Sequence, residues 1–209
     1  MSQVSKGQYG LASNSEEGIF PDFLTEPVDD VAKKLLGCVL EREVDGQTLR
    51  VRVVETESYD QDDEASHAFG GKRVRNATMF GEAGHLYVYF TYGMHYCCNV
   101  VAGADGYGWG VLILAVEPVC GVEILEERRG VAGINATNGP AKLTKGLGID
   151  LSMNGHDLRK LPLRLMAGSL RDGEKISKSP RIGISKAVDA HRRYYIESNP
   201  YVTRHKNGY

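Results

Sequence analysis

The stretch Leu86-Tyr-Val-Tyr-Phe-Thr-Tyr-Gly-Met-His-Tyr-Cys-Cys-Asn-Val-Val101 decides the reading of the fold. Both ends are β-branched and aromatic, and the only glycine stands in the middle, so the segment is read as an antiparallel hairpin bending near Tyr92-Gly93. Strand signals lie on either side. Upstream, Cys38–Glu43 and Leu49–Glu57 are joined by the Asp45-Gly46 turn. Downstream, Val111–Val116 is apolar and is expected to stop at Pro118, and further strands are expected at Leu163–Ala167, Arg181–Ile184 and Tyr194–Glu197. Helices fit Val28–Leu36, with Asp29 and Asp30 in its first turn and Gly37 at its end, and Gly121–Arg128. A third starts at Asn138-Gly-Pro-Ala-Lys142, with Pro140 just inside it. Residues 58–78 read as a long charged loop with one short helix around Asp63–Ala68. The expectation is an α+β single domain over residues 21–205, with a mostly antiparallel curved β-sheet, surrounding helices and a protruding hairpin. Residues 1–20, rich in Ser, Gly, Asn and Glu, read as a flexible leader.

The chain has 209 residues, enough for one domain with a substantial core, and 25 glycines favour many turns over a helical bundle. The net charge of −2 hides a split. Residues 1–70 carry 15 acidic and 6 basic side chains, whereas residues 141–209 carry 6 acidic and 14 basic, which permits a basic face for a polyanion. Solvated surfaces on both halves would give the same counts. Cys38, Cys97, Cys98 and Cys120 match neither a zinc site nor a disulfide framework, and are read as free thiols. No apolar run approaches a membrane span and no signal pattern opens the chain. Cytoplasm is therefore expected if the source is bacterial, and the nucleus if it is eukaryotic.

Glu57 ends an apolar strand where the chain leaves the sheet. A carboxylate shielded there can have a raised pKa and serve as a general base, although a solvated strand-end acid would look the same. Glu55 shares its strand parity and is the rival. Tyr59 and His67 flank an acidic loop, and together with Tyr87, Tyr89, Tyr92 and Tyr96 they could sandwich a planar ligand; cross-strand packing is the plain alternative. Tyr92 fits that alternative poorly, because a bulky aromatic at a hairpin tip has nothing to pack on. It suits a wedge that fills the gap left by a displaced base. Asp62, Asp63, Glu64 and His67 could be imagined around a metal, but a loop-borne acidic run is usually solvated, and no metal or cofactor is expected.

Eight motifs in order carry a resemblance: Val54-Glu-Thr-Glu-Ser-Tyr59, Asp63-Glu-Ala-Ser-His67, Met79-Phe80, Leu86-Tyr-Val-Tyr89, Tyr92-Gly-Met94, Asn99-Val100, Val116-Glu-Pro118 and Asn138-Gly-Pro-Ala-Lys-Leu143. The chain resembles the alkyladenine (3-methyladenine) DNA glycosylase family from about Val31 to Thr203. That resemblance implies a base-excision-repair enzyme acting on double-stranded DNA that contains alkylated or deaminated purines. It would flip the damaged base and hydrolyse its N-glycosidic bond to leave an abasic site. Glu57 corresponds to the general base, Tyr59 and His67 to one wall of the base pocket, Tyr89 to the opposite wall, and Leu112 to a lining aliphatic. Asn99 corresponds to the residue that crowds the 2-amino group of normal guanine, and Tyr92 to the intercalating wedge. Gly139, Ala141 and Lys142 are candidate phosphate contacts at a helix start. No lysine stands beside the motif, so a monofunctional enzyme without lyase activity is expected, acting as a monomer.

Two departures stand out. Leu114 occupies a position where the family usually carries an arginine close to the catalytic glutamate, and the Tyr59–His67 loop is one residue shorter than in vertebrate members. The first keeps a second reading open, a catalytically weak or inactive lesion-binding protein of the same fold. A module stacking single-stranded RNA on its tyrosines is a third.

Overall fold

Strand β2 (Gln47–Tyr59) is thirteen residues long and organises a computed structural model that describes residues 18–203. The expected leader lies almost wholly outside the described residues. One edge of β2 pairs first with β1 (Val39–Val44) and, nearer its end, with β8 (Arg193–Ile196); its other edge pairs with β5 (Gly110–Cys120). Next to β5 run β4 (His95–Val101) and β3 (Leu86–Thr91), while β6 (Leu163–Met166) edges β1 and β7 (Ile176–Ser179) edges β8. Every pairing is antiparallel, as the alternation of turns and apolar runs predicts. Three register shifts between β2 and β5 curl the sheet. This is the α+β single domain expected from the sequence.

The two hairpins form where their turn residues stand. Asp45 and Gly46 take φ of 52° and 72° between Val44 and Gln47, the left-handed pair that a two-residue hairpin loop demands. Tyr92 and Gly93 are left-handed too, at 50° and 66°, within a three-residue loop between Thr91 and His95 in which Met94 N donates to the Thr91 carbonyl at 3.3 Å.

Helix α1 (Val28–Lys34) packs Val28, Val31 and Ala32 into the core, with acids in its first turn and lysines in its last. The even-numbered end of β2 faces it: Thr56 Oγ1 donates to the Ala32 carbonyl at 2.8 Å, and Ser58 Oγ donates to Asp29 at 2.5 Å. Glu57 and Tyr59 must then project from the opposite face. Helices α2 (Val122–Arg129) and α3 (Pro140–Leu147) bury Leu125, Leu143 and Leu147 in the same core.

Three expectations are corrected. Pro118 does not stop β5, because the register passes from Arg50↔Cys120 to Val51↔Pro118; Val119 is left over as a bulge, a place where a residue without an N–H is tolerated. No helix forms at Asp63–Ala68. There the Asp63 carboxylate accepts from Ala65 N at 2.9 Å and Ser66 Oγ from Ala68 N at 3.1 Å, local bonds that compete with a helix; a 3-10 helix appears instead at Val74–Phe80. Residues 181–184 are not a strand, since the Ile182 N–H goes to the Glu57 side chain rather than to a neighbouring backbone.

The β2–β8 seam is fastened by a buried ion pair. Arg193 Nε donates to Glu55 Oε1 at 2.6 Å, and the other carboxylate oxygen accepts from Thr203 N at 2.7 Å. Arg193→Met strands Glu55 as an unpaired buried charge and is expected to cost about 3–5 kcal/mol. Urea midpoints at neutral pH measure it; a change below about 1 kcal/mol would contradict this account of the seam.

Candidate active site

One register line crosses five strands: Tyr87 on β3, Asn99 on β4, Leu112 on β5, Glu57 on β2 and Arg193 on β8. Directly opposed residues share a face, so this line assembles side chains from distant parts of the chain without any local motif. A cavity of about 500 Å³ opens above it, with Tyr59, His67, Tyr89, Asn99 and Leu112 in its lining. A volume of that size suits one small planar ligand.

Glu57 is fully buried and does not itself line the cavity, but its neighbours Tyr59, Leu112 and Ile182 do. Tyr59 Oη donates to its Oε2 at 2.6 Å and the Ile182 N–H to its Oε1 at 2.7 Å. Burial pushes its carboxyl up to about 7, against these two hydrogen bonds, with the Glu55 charge adding to the rise and the Arg181 charge opposing it. Among the described residues no cation forms an ion pair with Glu57, whereas Glu55, two positions away, is held by Arg193. Burial raises the proton affinity of both acids; Arg193 ties Glu55 into the seam, whereas Glu57, pushed up to about 7, has no such cation among the described residues.

Around it the surfaces are aromatic and apolar. His67 meets Tyr89 edge to face with centroids 4.4 Å apart, its Nδ1 lies 3.0 Å from Tyr87 Oη, and Tyr87 stacks on Tyr89 at 5.7 Å. Burial, helped by the Arg75 charge, lowers the His67 pKa and keeps the ring neutral at pH 7. At 4.4 Å, His67 and Tyr89 touch and do not face each other across a gap, since a base stacked between two rings needs them about 7 Å apart. Leu114 is buried and packs with Cys97 and Leu112 against Tyr59, Tyr89 and Ile182, an apolar patch beside the Leu112↔Glu57 pair. Asn99 is buried and its Nδ2 donates to the Tyr87 carbonyl at 3.4 Å.

At the rim, Tyr92 is 81% exposed with a left-handed φ of 50°. A bulky residue is strained there and receives no packing in return, so fold stability does not explain it. Pro140 at the start of α3 also reaches the lining, which places Ala141 and Lys142 near the mouth; Gly139 is buried and Lys142 Nζ donates to Asn138 Oδ1 at 2.7 Å. Asp63 of the acidic loop pairs with Arg181, its two oxygens taken by that guanidinium, Ala65 N and Arg192. Sequence reasoning missed Arg181, Ile182 and Lys186, which lies at the rim. Arg181 meets Asp63 across 118 residues of chain, and an arginine opening an apolar run carried no sign of it.

The family model for methylpurine-DNA glycosylase matches residues 22–200. A protein of Carboxydothermus hydrogenoformans is 49% identical over 185 residues, covering 87% of this chain and 96% of its own. Relatives from Methanoculleus marisnigri and Chlorobaculum tepidum are 43% and 41% identical, covering 83% and 90% of this chain and 92% and 91% of theirs. All three carry the provisional name 3-methyladenine DNA glycosylase.

Folded, Glu57 keeps its proton up to about pH 7; unfolded, it releases it near 4.5. Between those values the folded chain binds more protons, so this group lowers stability as pH rises. Relative to Glu57→Gln, the native chain should lose on the order of 3 kcal/mol between pH 4.5 and 8. Parallel stability-versus-pH curves for the two proteins would show no such burial effect. Tyr92→Gly, which relieves the left-handed strain, should raise stability by about 1 kcal/mol; a loss on denaturation would mean Tyr92 belongs to the core.

Proposed function

The chain belongs to the methylpurine-DNA glycosylase family, and we propose that it flips alkylated purines, 3-methyladenine and 7-methylguanine among them, out of duplex DNA and hydrolyses their glycosidic bonds as a monofunctional, monomeric enzyme. The observation that carries this reading is a buried carboxylate poised near neutrality beneath an aromatic cavity, with a strained, exposed tyrosine at its mouth.

Tyr92 enters the minor groove and fills the gap in the stack. The extruded purine enters the cavity against Tyr59 and Tyr89, with His67 turning aside from Tyr89. Alkylation at N3 or N7 makes the base cationic, and aromatic faces favour a cation by roughly 1–2 kcal/mol where water is excluded. Damaged pairs are also cheaper to open. Glu57, as carboxylate, takes a proton from a water whose oxygen bonds to C1′. The C1′–N bond breaks, and its electron pair neutralises the departing base. A cationic purine needs no acid to leave, which suits a pocket whose histidine is neutral and whose Leu114 carries no charge. Asn99, in the cavity lining, crowds the 2-amino group of a normal guanine. The start of α3, with Ala141, Lys142 and the Gly139 turn, serves the phosphates, as does Lys186 at the rim. Water is the nucleophile, so no amine attacks C1′ and the strand stays intact.

Single-turnover release of 7-methylguanine and 3-methyladenine from methylated duplex tests the reading. The native chain should release both, with kcat/KM falling about tenfold per pH unit below roughly pH 7, and Glu57→Gln should release neither. Borohydride should trap no protein–DNA adduct. An adduct abolished by Lys186→Ala would overturn the monofunctional assignment. Tight binding to damaged duplex with no release by the native chain would establish a lesion binder instead.

A further inference from the structure

Arg181 stands in none of the roles above, yet three parts of the site meet on its guanidinium. Its side chain is fully buried, and so is nearly all of its partner Asp63. Both terminal nitrogens reach the Asp63 carboxylate, Nη2 at 3.0 Å, and Nη1 also donates to the Ser58 carbonyl at 3.1 Å. The guanidinium carbon lies over the Tyr59 ring, 4.5 Å from its centroid. Its Nε is buried with no hydrogen-bond partner. A buried arginine left one donor short is a poor choice for stability alone, because an apolar pair of the same volume would serve at least as well.

What the group joins is specific. Ser58 and Tyr59 are the last two residues of β2, immediately beyond Glu57. Asp63 anchors the turn that leads to His67. Ile182, whose N–H meets Glu57 Oε1 at 2.7 Å, follows Arg181 directly. Both donors to the Glu57 carboxylate, the Tyr59 hydroxyl and the Ile182 amide, are thus located by the same guanidinium, one through stacking and one through the backbone. Among the described residues no other side chain hydrogen-bonds both the Asp63 carboxylate and the Ser58 carbonyl.

We infer that Arg181, clamped by Asp63, is a positioning residue for the reaction: it holds Tyr59 and Ile182 where they fix the rotamer and proton affinity of Glu57, without itself touching substrate. The inference rests on the glycosylase reading of Glu57. Its sign follows from the groups that face that carboxylate. Glu55 on the same strand raises its proton affinity; the Tyr59 hydroxyl, the Ile182 amide and the Arg181 charge lower it; Arg193 from β8 neutralises Glu55; Tyr89 and Cys97 approach from β3 and β4 as neutral groups. Loss of Arg181 loosens both donors, two changes of one sign; where the Asp63 anion is removed with it, the lost cation is offset, so it is through the loosened donors that Glu57 should hold its proton to higher pH.

The test is the double substitution Asp63→Asn with Arg181→Met, which removes both charges and leaves neither buried alone, read beside Arg181→Lys. Three quantities are measured: thermal stability, single-turnover release of 7-methylguanine across pH, and the titration of the Glu57 carboxyl carbon by 13C NMR, assigned through its absence in Glu57→Gln. Expected in the double variant are a folded chain, affinity for methylated duplex within about threefold of native, release slowed about tenfold or more, and the Glu57 titration and the acid limb both moved up by about one pH unit. Lysine keeps the charge but cannot stack and bridge together, so Arg181→Lys should show the same displacement in smaller measure. A double variant that releases base at the native rate with an unmoved Glu57 titration makes the pair a structural tie and overturns the inference. So does a slowed variant whose titration stays in place. Should the double variant fail to fold, Arg181→Lys decides by the same two readings. A native chain that releases no base overturns the glycosylase reading, while the NMR titration still accepts or rejects the hold of Arg181 on Glu57.

Discussion

The site depends on one constraint, a carboxylate buried two residues before the end of β2 with no counter-ion among the described residues. Ionising Glu57 in that place is unfavourable because protein replaces the water that would solvate the charge, and two hydrogen bonds compensate only in part. The surrounding structure reads as the means of keeping it so. The register line from Tyr87 to Arg193 sets the depth, the apolar patch of Cys97, Leu112 and Leu114 excludes water, and Arg193 takes the neighbouring Glu55 out of competition.

Glu55 and Glu57 show how far context outweighs residue type. They lie two apart on one strand, face the same side and are equally buried. One meets a guanidinium and an amide and becomes a fastener for β8. The other meets a hydroxyl and an amide, both neutral, and keeps a proton that can move near pH 7. Burial disfavours ionising either acid; a charged partner fastens the one into the sheet, and neutral partners leave the other without an ion pair among the described residues. The 181–184 segment follows the same logic: it gives up a strand so that its arginine can join Asp63 and its amide can reach Glu57.

Much of the fold was legible in local signals. The Asp45-Gly46 and Tyr92-Gly93 turns, the apolar runs of β2 and β5, and Pro140 at the start of α3 each impose a backbone geometry that few alternatives satisfy. The misreadings fall where a side chain redirected the backbone. Asp63 and Ser66 capture amides that a helix would need, Glu57 captures the amide that a 181–184 strand would need, and a bulge at Val119 spares Pro118 from a ladder bond it cannot make. Of these, only the Glu57–Ile182 bond spans distant chain, 125 residues; the Asp63 and Ser66 turns and the Val119 bulge are local bonds that outcompeted the expected element.

The candidate site divides in the same way. From the sequence alone came the strand-end glutamate, the tyrosine-rich hairpin with an aromatic at its tip, and the order of motifs that resembles one family; each is a property of neighbouring residues. Only the tertiary structure decided which of two glutamates is unpaired, that Tyr92 is strained as well as exposed, that His67 and Tyr89 are in contact, and that Arg181 reaches Asp63 across more than half the chain. The physical reason is that pattern and turn chemistry act over a few residues. Proton affinity and side-chain position depend on burial and on whatever charge or donor the fold brings within a few ångströms, from anywhere along the sequence.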